Sequence, residues 1–485
     1  MWGTLWYEDG YNSMIYIQEN SNDPMYFQIY LQIKEDIIQR NIVHGERLPG
    51  IRTLARTLGI ALNTVSRAYA QLAVEGYIQA RHGAGFFVLG TSNKVTEKNY
   101  VPRDTNILSV ERSEQKQPVN LYDFQYGALP YEQFPFKLWR KYTSQILLSP
   151  QKDVVNQYPD KQGDMLLRQE IKKYLHRSRG MVCCEEQIII GSGLHDSLDI
   201  LCKILRKEKN RIAMEEPGYN GARDVFINNN YDLFPIPASK DGLNLSSIHS
   251  SGACAAYVTP SHQFPYGTVM PIFQRKELLK WAIDNDGYII EDDYDSELRY
   301  DANPVPALHS LDTDYRTIYI GTFSKSLSPS LRVNYMVLPV KLLTRYYSMF
   351  RSYNSSVSWL TQSVLAEYMR QGNYERHVRK MCLAYKRRHD VFVQEVTKVF
   401  GSKVILHGRG AGLHFILEFP GGEEHDWLIN QAERVGVKVY PMIPFWNERS
   451  SCPQNVIFAG YSLLSEQQIR KGIALLQSAW FSALS

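Results

Sequence analysis

Two short stretches hold the residues best able to do chemistry. In Gly321-Thr322-Phe323-Ser324-Lys325-Ser326-Leu327-Ser328-Pro329-Ser330-Leu331-Arg332, one lysine stands among small hydroxyl residues, with an arginine seven positions on. An amine so placed can condense with an aldehyde to an aldimine, while hydroxyls and a guanidinium hold an adjacent phosphate. A polar loop with a stray lysine would look the same on this stretch alone, so complementary groups must be found elsewhere. The second stretch supplies them. A strand-like run from Tyr288 leads into Glu291-Asp292-Asp293-Tyr294-Asp295. Strand alternation puts Asp292 and Tyr294 on one side and Asp293 on the other. A carboxylate keeps a pyridine nitrogen protonated, and a phenol donates to a ring oxygen. The competing reading is an acidic turn or a metal site. No histidine or cysteine lies close enough in sequence to complete a metal site, and none is expected.

Two turns extend the set. Gly191-Ser192-Gly193-Leu194-His195 follows an apolar run and opens a helix, where backbone N–H groups and the positive helix end favour phosphate. A bare strand–helix turn would read alike. Glu215-Glu216-Pro217-Gly218-Tyr219 ends another apolar run, and its tyrosine either lies over an aromatic ring or packs in the core. Together, Lys325, Asp292, Tyr294, Thr322, Ser324 and Arg332 supply each function that a pyridoxal 5'-phosphate pocket needs.

These residues need strands to carry them. Strand-like runs at 187–190, 211–214, 255–259, 288–292, 317–320 and 334–338 alternate with helical ones, which predicts an α/β fold with a mainly parallel sheet. Ligands of such sheets sit beyond the carboxyl ends of the strands, where the chemical residues fall. The runs at 413–418, 438–440 and 456–459 predict a smaller C-terminal α+β lobe.

The first ninety residues are organised differently. Tyr26, Ile29, Tyr30, Ile33 and Ile37 share a helical face. After the Pro-Gly break at 49–50, Ile51, Leu54, Ala55 and Leu58 mark a short helix ending at Gly59. Val65, Tyr69 and Leu72 form the inner stripe of the next helix, leaving Asn63, Ser66, Arg67 and Ala70 on another. The runs 77–81 and 86–88 read as a hairpin around His82-Gly83-Ala84-Gly85. This order is a winged helix-turn-helix, whose second motif helix enters the DNA major groove. From Pro24 to Gly90 there are seven Lys/Arg against four acids, and Arg47, Arg52, Arg67 and Arg81 gather on the recognition side, as phosphate contacts require.

At 485 residues the chain is long enough for several domains. Its net charge of +4 is mild, and only the local clustering of arginines argues for nucleic acid. The six cysteines lack metal-ligand spacing and read as reduced thiols of a cytoplasmic protein. No apolar run reaches the roughly 18–20 residues of a membrane span, and the amino terminus does not read as a secretory leader. The expected division is a loosely ordered segment over 1–22, the DNA-binding domain over 23–90, a flexible linker over 91–120 and the large domain over 121–485.

Two resemblances sharpen this. Leu48-Pro49-Gly50-Ile51-Arg52-Thr53-Leu54-Ala55, Asn63-Thr64-Val65, Glu75-Gly76-Tyr77 and Arg81-His82-Gly83-Ala84-Gly85-Phe86 resemble a GntR-type DNA-binding domain. The resemblance implies DNA contacts from Arg52, from Asn63, Thr64 and Ser66, and from His82 and Gly83. That family often carries an arginine where this chain has Leu62, and Arg67 partly compensates. From about Asp123 onward the chain resembles fold-type I aminotransferases. Its runs Val258-Thr259-Pro260-Ser261-His262-Gln263-Phe264-Pro265, Glu291-Asp292-Asp293-Tyr294-Asp295-Ser296-Glu297 and Gly321-Thr322-Phe323-Ser324-Lys325-Ser326-Leu327 are similar to MocR/GabR-type regulators, in which a GntR-like reader is fused to an aminotransferase-like domain. This resemblance implies an internal aldimine on Lys325, Asp292 at the pyridine nitrogen and Tyr294 at the 3-oxygen. It implies Tyr219 stacked on the ring, and Gly193, Leu194, Thr322, Ser324 and Arg332 around the phosphate. It also implies a homodimer, with Tyr158 reaching the phosphate of the neighbouring subunit. A substrate-carboxylate arginine belongs in the stretch matched by 456–461, which has none; Arg223 and Arg449 are not on matched positions.

The expected function is therefore a regulator that binds promoter DNA and senses an amine, an amino acid or the cofactor through Lys325, without physiological turnover. The alternatives are an active aminotransferase with an appended DNA-binding module, and a scaffold that has lost cofactor use.

Overall fold

The apolar stripes and Pro-Gly breaks of the first ninety residues become a separate unit in the computed structural model, which describes residues 15–18, 21, 23–89, 121–149, 155–206, 210–300 and 306–481. The chain divides into two compact units, 1–113 and 114–485. The linker expected at 91–120 lies outside the described residues.

In the first unit, α1 (Met25–Ile38), β1 (Arg47–Leu48), α2 (Ile51–Leu58), α3 (Leu62–Val74), β2 (Ile78–Arg81) and β3 (Gly85–Val88) follow in order. Ile29, Tyr30, Ile33 and Ile37 of α1 pack against Leu54 of α2 and Val65, Ala68, Tyr69 and Leu72 of α3. Each large apolar side chain buried there contributes roughly 1.5–3 kcal/mol. Gly59 takes the left-handed conformation (φ 66°) that ends α2. The hairpin gains a strand that periodicity missed: β1 pairs with β3, giving the order β1-β3-β2. Two residues are too few to show an alternating pattern.

Of the segment expected to be loosely ordered over 1–22, residues 1–14, 19, 20 and 22 lie outside the described residues. Ile15 is buried in this core, and the Tyr16 backbone exchanges two hydrogen bonds with the Gln32 side chain, both 2.7 Å. An apolar anchor and a bidentate amide hold the chain against α1.

The second unit contains β4 (Tyr122–Asp123), α4 (Phe136–Leu147), α5 (Met165–Arg179), β5 (Ile188–Gly191), α6 (Leu194–Leu205), β6 (Arg211–Glu216), α7 (Asn220–Asn228), β7 (Asp232–Ser239), β8 (Gly242–Leu243), β9 (Ala255–Val258), α8 (Ile272–Asp284), β10 (Tyr288–Asp293), β11 (Thr317–Thr322) and β12 (Asn334–Val337). Its eight-stranded sheet has the order β5-β12-β11-β10-β9-β6-β7-β8. The pairs β10–β11, β10–β9, β9–β6 and β6–β7 are parallel, as expected. β12 runs antiparallel to both neighbours, a direction that composition does not encode. The inner strands are buried on both faces, which is why they read as continuous apolar runs.

After α9 (Val340–Met349), α10 (Trp359–Arg370) and α11 (Asn373–Phe400) come β13 (Ile405–His407), β14 (His414–Glu418), α12 (His425–Arg434), β15 (Val437–Lys438), β16 (Tyr440–Pro441), β17 (Val456–Gly460) and α13 (Glu466–Phe481). The lobe sheet β13-β14-β17-β16 packs Phe415, Leu417, Ile457 and Ala459 on α11, α12 and α13. The lobe also recruits the start of the unit: β4 pairs with β15, and Phe124 joins its core. That junction carries Tyr126 toward the main sheet.

Candidate functional site

The carboxyl ends of β5, β6, β9, β10 and β11 and the start of antiparallel β12 lie along one edge of the sheet, around a cavity of about 290 Å³. Leu194, Tyr219, Asp292, Tyr294, Thr322, Ser324, Lys325 and Arg332 all line it, although 138 positions separate the first from the last in the chain.

Lys325 reaches into the cavity above the Tyr126 ring, its Nζ 4.2 Å from the centroid. Gly127, at φ 92°, leaves room for it; a Cβ there would sit 2.8 Å from Nζ. Burial draws the Lys325 amine down to about 8, against the pull of Asp295 and Asp292. It is thus partly neutral, and nucleophilic, near physiological pH.

Asp292 is buried and accepts a hydrogen bond from the Tyr257 hydroxyl. Burial pushes its carboxyl up to about 7, although the Tyr257 bond pulls the other way. Asp293, on the opposite face as alternation requires, pairs with Arg179 at 2.8 Å and accepts from Tyr319. Tyr294 lines the cavity but donates to the His262 carbonyl at 2.9 Å. Its oxygen also lies 3.0 Å from His262 Nδ1, which is 2.9 Å from Asp295 Oδ2.

At the other end, Gly193 (φ 121°) caps α6, and a Cβ there would collide with the Arg332 guanidinium. The Gly193 amide donates to Asn334 Oδ1 at 3.0 Å, and Asn334 Nδ2 donates to Ser197 Oγ at 2.8 Å. Gly193 therefore serves by leaving space, while the first-turn amides of α6 that follow it lack intrahelical acceptors. Thr322 Oγ1 accepts from the Ser324 amide at 3.1 Å, which fixes the hydroxyl turn. Arg332 adopts a left-handed backbone (φ 52°), a strained conformation for a side-chain-bearing residue that aims its guanidinium at Gly193.

The donor set fits pyridoxal 5'-phosphate. A helix amino terminus, two hydroxyls and a guanidinium suit the phosphate, a buried carboxylate that forms no salt bridge among the described residues suits a ring nitrogen, and a partly neutral amine suits the aldehyde. The Gly193 cradle, which any side chain would fill, supports this independently. Tyr158 is 87% exposed and does not line the cavity of its own chain. Neither Arg223 nor Arg449 lines it; Arg223 donates instead to the Pro444 carbonyl at 2.7 Å.

Sequence reasoning gave no role to Tyr126, His195, Thr259, Phe264, Pro329 or Asn334, which also line the cavity. Thr259 and Phe264 lay within a run quoted for its resemblance alone. Asn334 stands two residues beyond Arg332, at the start of a strand. Tyr126 carries no local motif, because its place depends on β4 joining the lobe.

In the first unit, Asn63, Ser66 and Arg67 are exposed along α3, Thr64 is half-buried, Arg52 is exposed on α2, and His82 and Gly83 are exposed at the β2–β3 turn. The Arg67 guanidinium rests over the Tyr26 ring of α1, 4.1 Å from its centroid. Leu62, at the first position of α3, is 48% exposed.

Among the described residues, no helix is long and apolar enough to cross a membrane, and no group of three or more His, Cys, Asp or Glu is placed to hold a metal.

The aminotransferase class I and II family model matches residues 119–441, and that of the bacterial regulatory proteins of the gntR family matches 25–88. The chain is 38% identical to the uncharacterized HTH-type transcriptional regulator YdeL of Bacillus subtilis, over 94% of this chain and 97% of that one. It is 31% identical to the probable rhizopine catabolism regulatory protein MocR of Rhizobium meliloti, over 97% and 96%. Among solved structures it resembles a kynurenine aminotransferase of Pyrococcus horikoshii, with 24% identity and a TM-score of 0.68, over 76% of this chain and 92% of that one.

Proposed function

The chain belongs to the MocR-type transcriptional regulators, a gntR-family DNA-binding domain joined to an aminotransferase class I and II domain, and from this we propose that it controls a promoter in response to an amine, an amino acid or pyridoxal 5'-phosphate held at Lys325. The observation that carries the reading is the single cavity edge on which Lys325, Asp292, Tyr294 and Arg332 meet.

When bound, pyridoxal 5'-phosphate supplies an aldehyde that amines exchange on and a ring that withdraws electrons. Lys325 is the residue to hold the aldehyde carbon. Asp292 would keep a proton on the ring nitrogen, and a cation there would relieve the cost of its buried charge. Tyr219 would cover the ring. Leu194, Thr322, Ser324 and Arg332 would hold the phosphate, with Gly193 giving it room. Tyr294 would act at the 3-oxygen by turning its hydroxyl from the His262 carbonyl. Tyr158 would serve the neighbouring subunit of a homodimer, and its exposure in a single chain supports that role. Arg52, Asn63, Thr64, Ser66, Arg67, His82 and Gly83 form the DNA-facing set of a cytoplasmic protein.

An effector changes DNA binding only if it favours one arrangement of the protein over another. This function does not require turnover; Arg332 is the arginine that lines the cavity among the described residues. The test is a footprint on DNA upstream of the protein's own gene, paired with a visible spectrum of the purified protein. A protected site together with a visible absorption band that borohydride bleaches as it fixes the cofactor covalently supports the reading. Rapid transamination of common amino donors with keto acids would replace it with an enzymatic one.

A further inference from the structure

We propose that His262, held in place by Asp295, is the positioning residue of Tyr294 and makes its phenol a stronger hydrogen-bond donor into the cavity. The inference rests on the reading above, which puts Tyr294 at the 3-oxygen of pyridoxal 5'-phosphate, and adds the pair of residues that stands behind it.

Neither His262 nor Asp295 lines the cavity. Each is 1% exposed, and with Tyr294 they form an arrangement complete within one chain. His262 Nδ1 is 2.9 Å from Asp295 Oδ2 and 3.0 Å from the Tyr294 hydroxyl. A carboxylate only accepts hydrogen bonds, so Nδ1 carries the proton. That N–H is shared between Asp295 and the Tyr294 oxygen. The phenol therefore accepts from the imidazole and gives its own proton to the His262 carbonyl, at 2.9 Å. A hydroxyl whose oxygen accepts a hydrogen bond is the better donor. The backbone carbonyl thus parks the phenol proton, while the imidazole readies the phenol to donate into the cavity.

The imidazole has little room to leave this position. It is wedged between two glycines in the left-handed region, Gly412 (φ 80°) and Gly267 (φ 74°). A Cβ on the first would stand 2.1 Å from His262 Cε1, and one on the second 2.9 Å from Nε2. Tyr300 donates to the Gly412 carbonyl at 2.7 Å, which fixes that wall. Nε2 has no hydrogen-bond partner among the described residues, so the polar contacts of this buried imidazole are all at Nδ1. An apolar side chain would fill the slot without leaving a nitrogen unpaired. The other ionisable groups around the pair are engaged elsewhere. Arg299 and Arg179 donate to the Ser261 carbonyl and hydroxyl at 3.2 and 2.6 Å. His414 lies 5.6 Å from His262, ring to ring, and burial first, then His262, draws it down to about 3. Lys325 and Asp292 face Asp295 from the cavity side.

The experiment follows the visible band of the full-length, cofactor-loaded protein against pH. A donor at the 3-oxygen lowers the midpoint of that titration, because it draws off charge that holds the neighbouring proton. Tyr294→Phe should therefore raise the midpoint. His262→Leu removes the N–H and keeps the backbone carbonyl; it should raise the midpoint in the same direction, by roughly half a unit to one unit. His262→Asn, whose amide reaches toward the place of Nδ1, should recover most of the wild-type value. In a Tyr294→Phe background His262→Leu should add nothing, a result that loosened packing would not produce. His262→Met repeats the measurement should the leucine variant not fold, as judged by the melt of the cofactor-free protein. A midpoint unmoved by loss of the imidazole, or moved equally with and without the Tyr294 hydroxyl, overturns the inference. A protein with no visible band, or a midpoint indifferent to Tyr294→Phe, would instead defeat the reading of the site on which it stands.

Discussion

The two units place their functional side chains in opposite settings. On the winged helix, Arg52, Asn63, Ser66, Arg67 and His82 are exposed. In the cavity, Asp292 is buried beneath Tyr257, the Lys325 amine lies over Tyr126, and Tyr294 is tied to His262. The first kind of site works in water against a polyanion, so each contact is individually weak and screened by salt. The second works out of water, where a lone charge is costly and shifts its pKa to avoid it. Substitutions should therefore act on the two sites in different ways.

The largest effect belongs to Lys325→Ala. The visible band and the borohydride-fixed adduct should both disappear, while binding to a library-selected operator persists. An adduct of unchanged amount in this variant would remove Lys325 as the attachment point and leave the cavity without its defining contrast.

Asp292→Asn should split two properties that usually move together. Affinity for pyridoxal 5'-phosphate should fall by roughly 2 kcal/mol or more, seen by ultrafiltration as at least a ~30-fold rise in Kd. Stability without cofactor should move the other way. The folded pKa of Asp292 is raised to about 7. Its contribution is therefore fully present below the ordinary carboxyl range and is lost as pH rises through 7. The asparagine escapes that loss, so thermal melts of the apo forms should agree near pH 4 and favour the variant at pH 8.

The Lys325 amine sets a third effect. With its pKa drawn down to about 8, the neutral fraction grows about tenfold per pH unit below that value and levels off above it. Stopped-flow capture of free pyridoxal 5'-phosphate should follow this profile. A profile still climbing at pH 10 would mean an ordinary surface lysine.

The smallest effects belong to the winged helix. Arg52→Ala and Arg67→Ala should each weaken operator binding and reduce its salt slope by about one, with melting temperature unchanged. Arg67 also tests whether its stacking on Tyr26 holds it ready: Tyr26→Ala should weaken binding without altering that slope.

What was legible in the sequence follows the same contrast. The stripes Ile29-Ile33-Ile37 and Val65-Tyr69-Leu72 and the stop at Gly59 are local signals, and the structure places them as periodicity predicts. Lys325, Asp292 and Tyr294 were legible because each ends or follows a buried strand whose apolar run marks it. Tyr126 and Asn334 were not. Tyr126 reaches the cavity only through the β4–β15 pairing between residues more than three hundred positions apart, and Asn334 acts through the reversed direction of β12. Neither long-range pairing nor strand direction is written in a window of neighbouring residues. The contact of residues 15–17 with the first unit's core was not legible for a related reason. Ile15 and Ile17 belong to a short apolar run, Met14-Ile15-Tyr16-Ile17, too brief to show a period, and only their seat against the α1–α3 core gives it meaning.

The most direct test of the account measures the coupling between the two units. Operator binding by the wild type and by Lys325→Ala is followed by fluorescence anisotropy, with and without saturating pyridoxal 5'-phosphate, and then with an added amine. The account predicts that ligand changes the operator Kd of the wild type severalfold and leaves that of Lys325→Ala unmoved. A wild-type Kd indifferent to both ligands, or a variant that responds equally, would contradict the claim that Lys325 governs the grip on DNA.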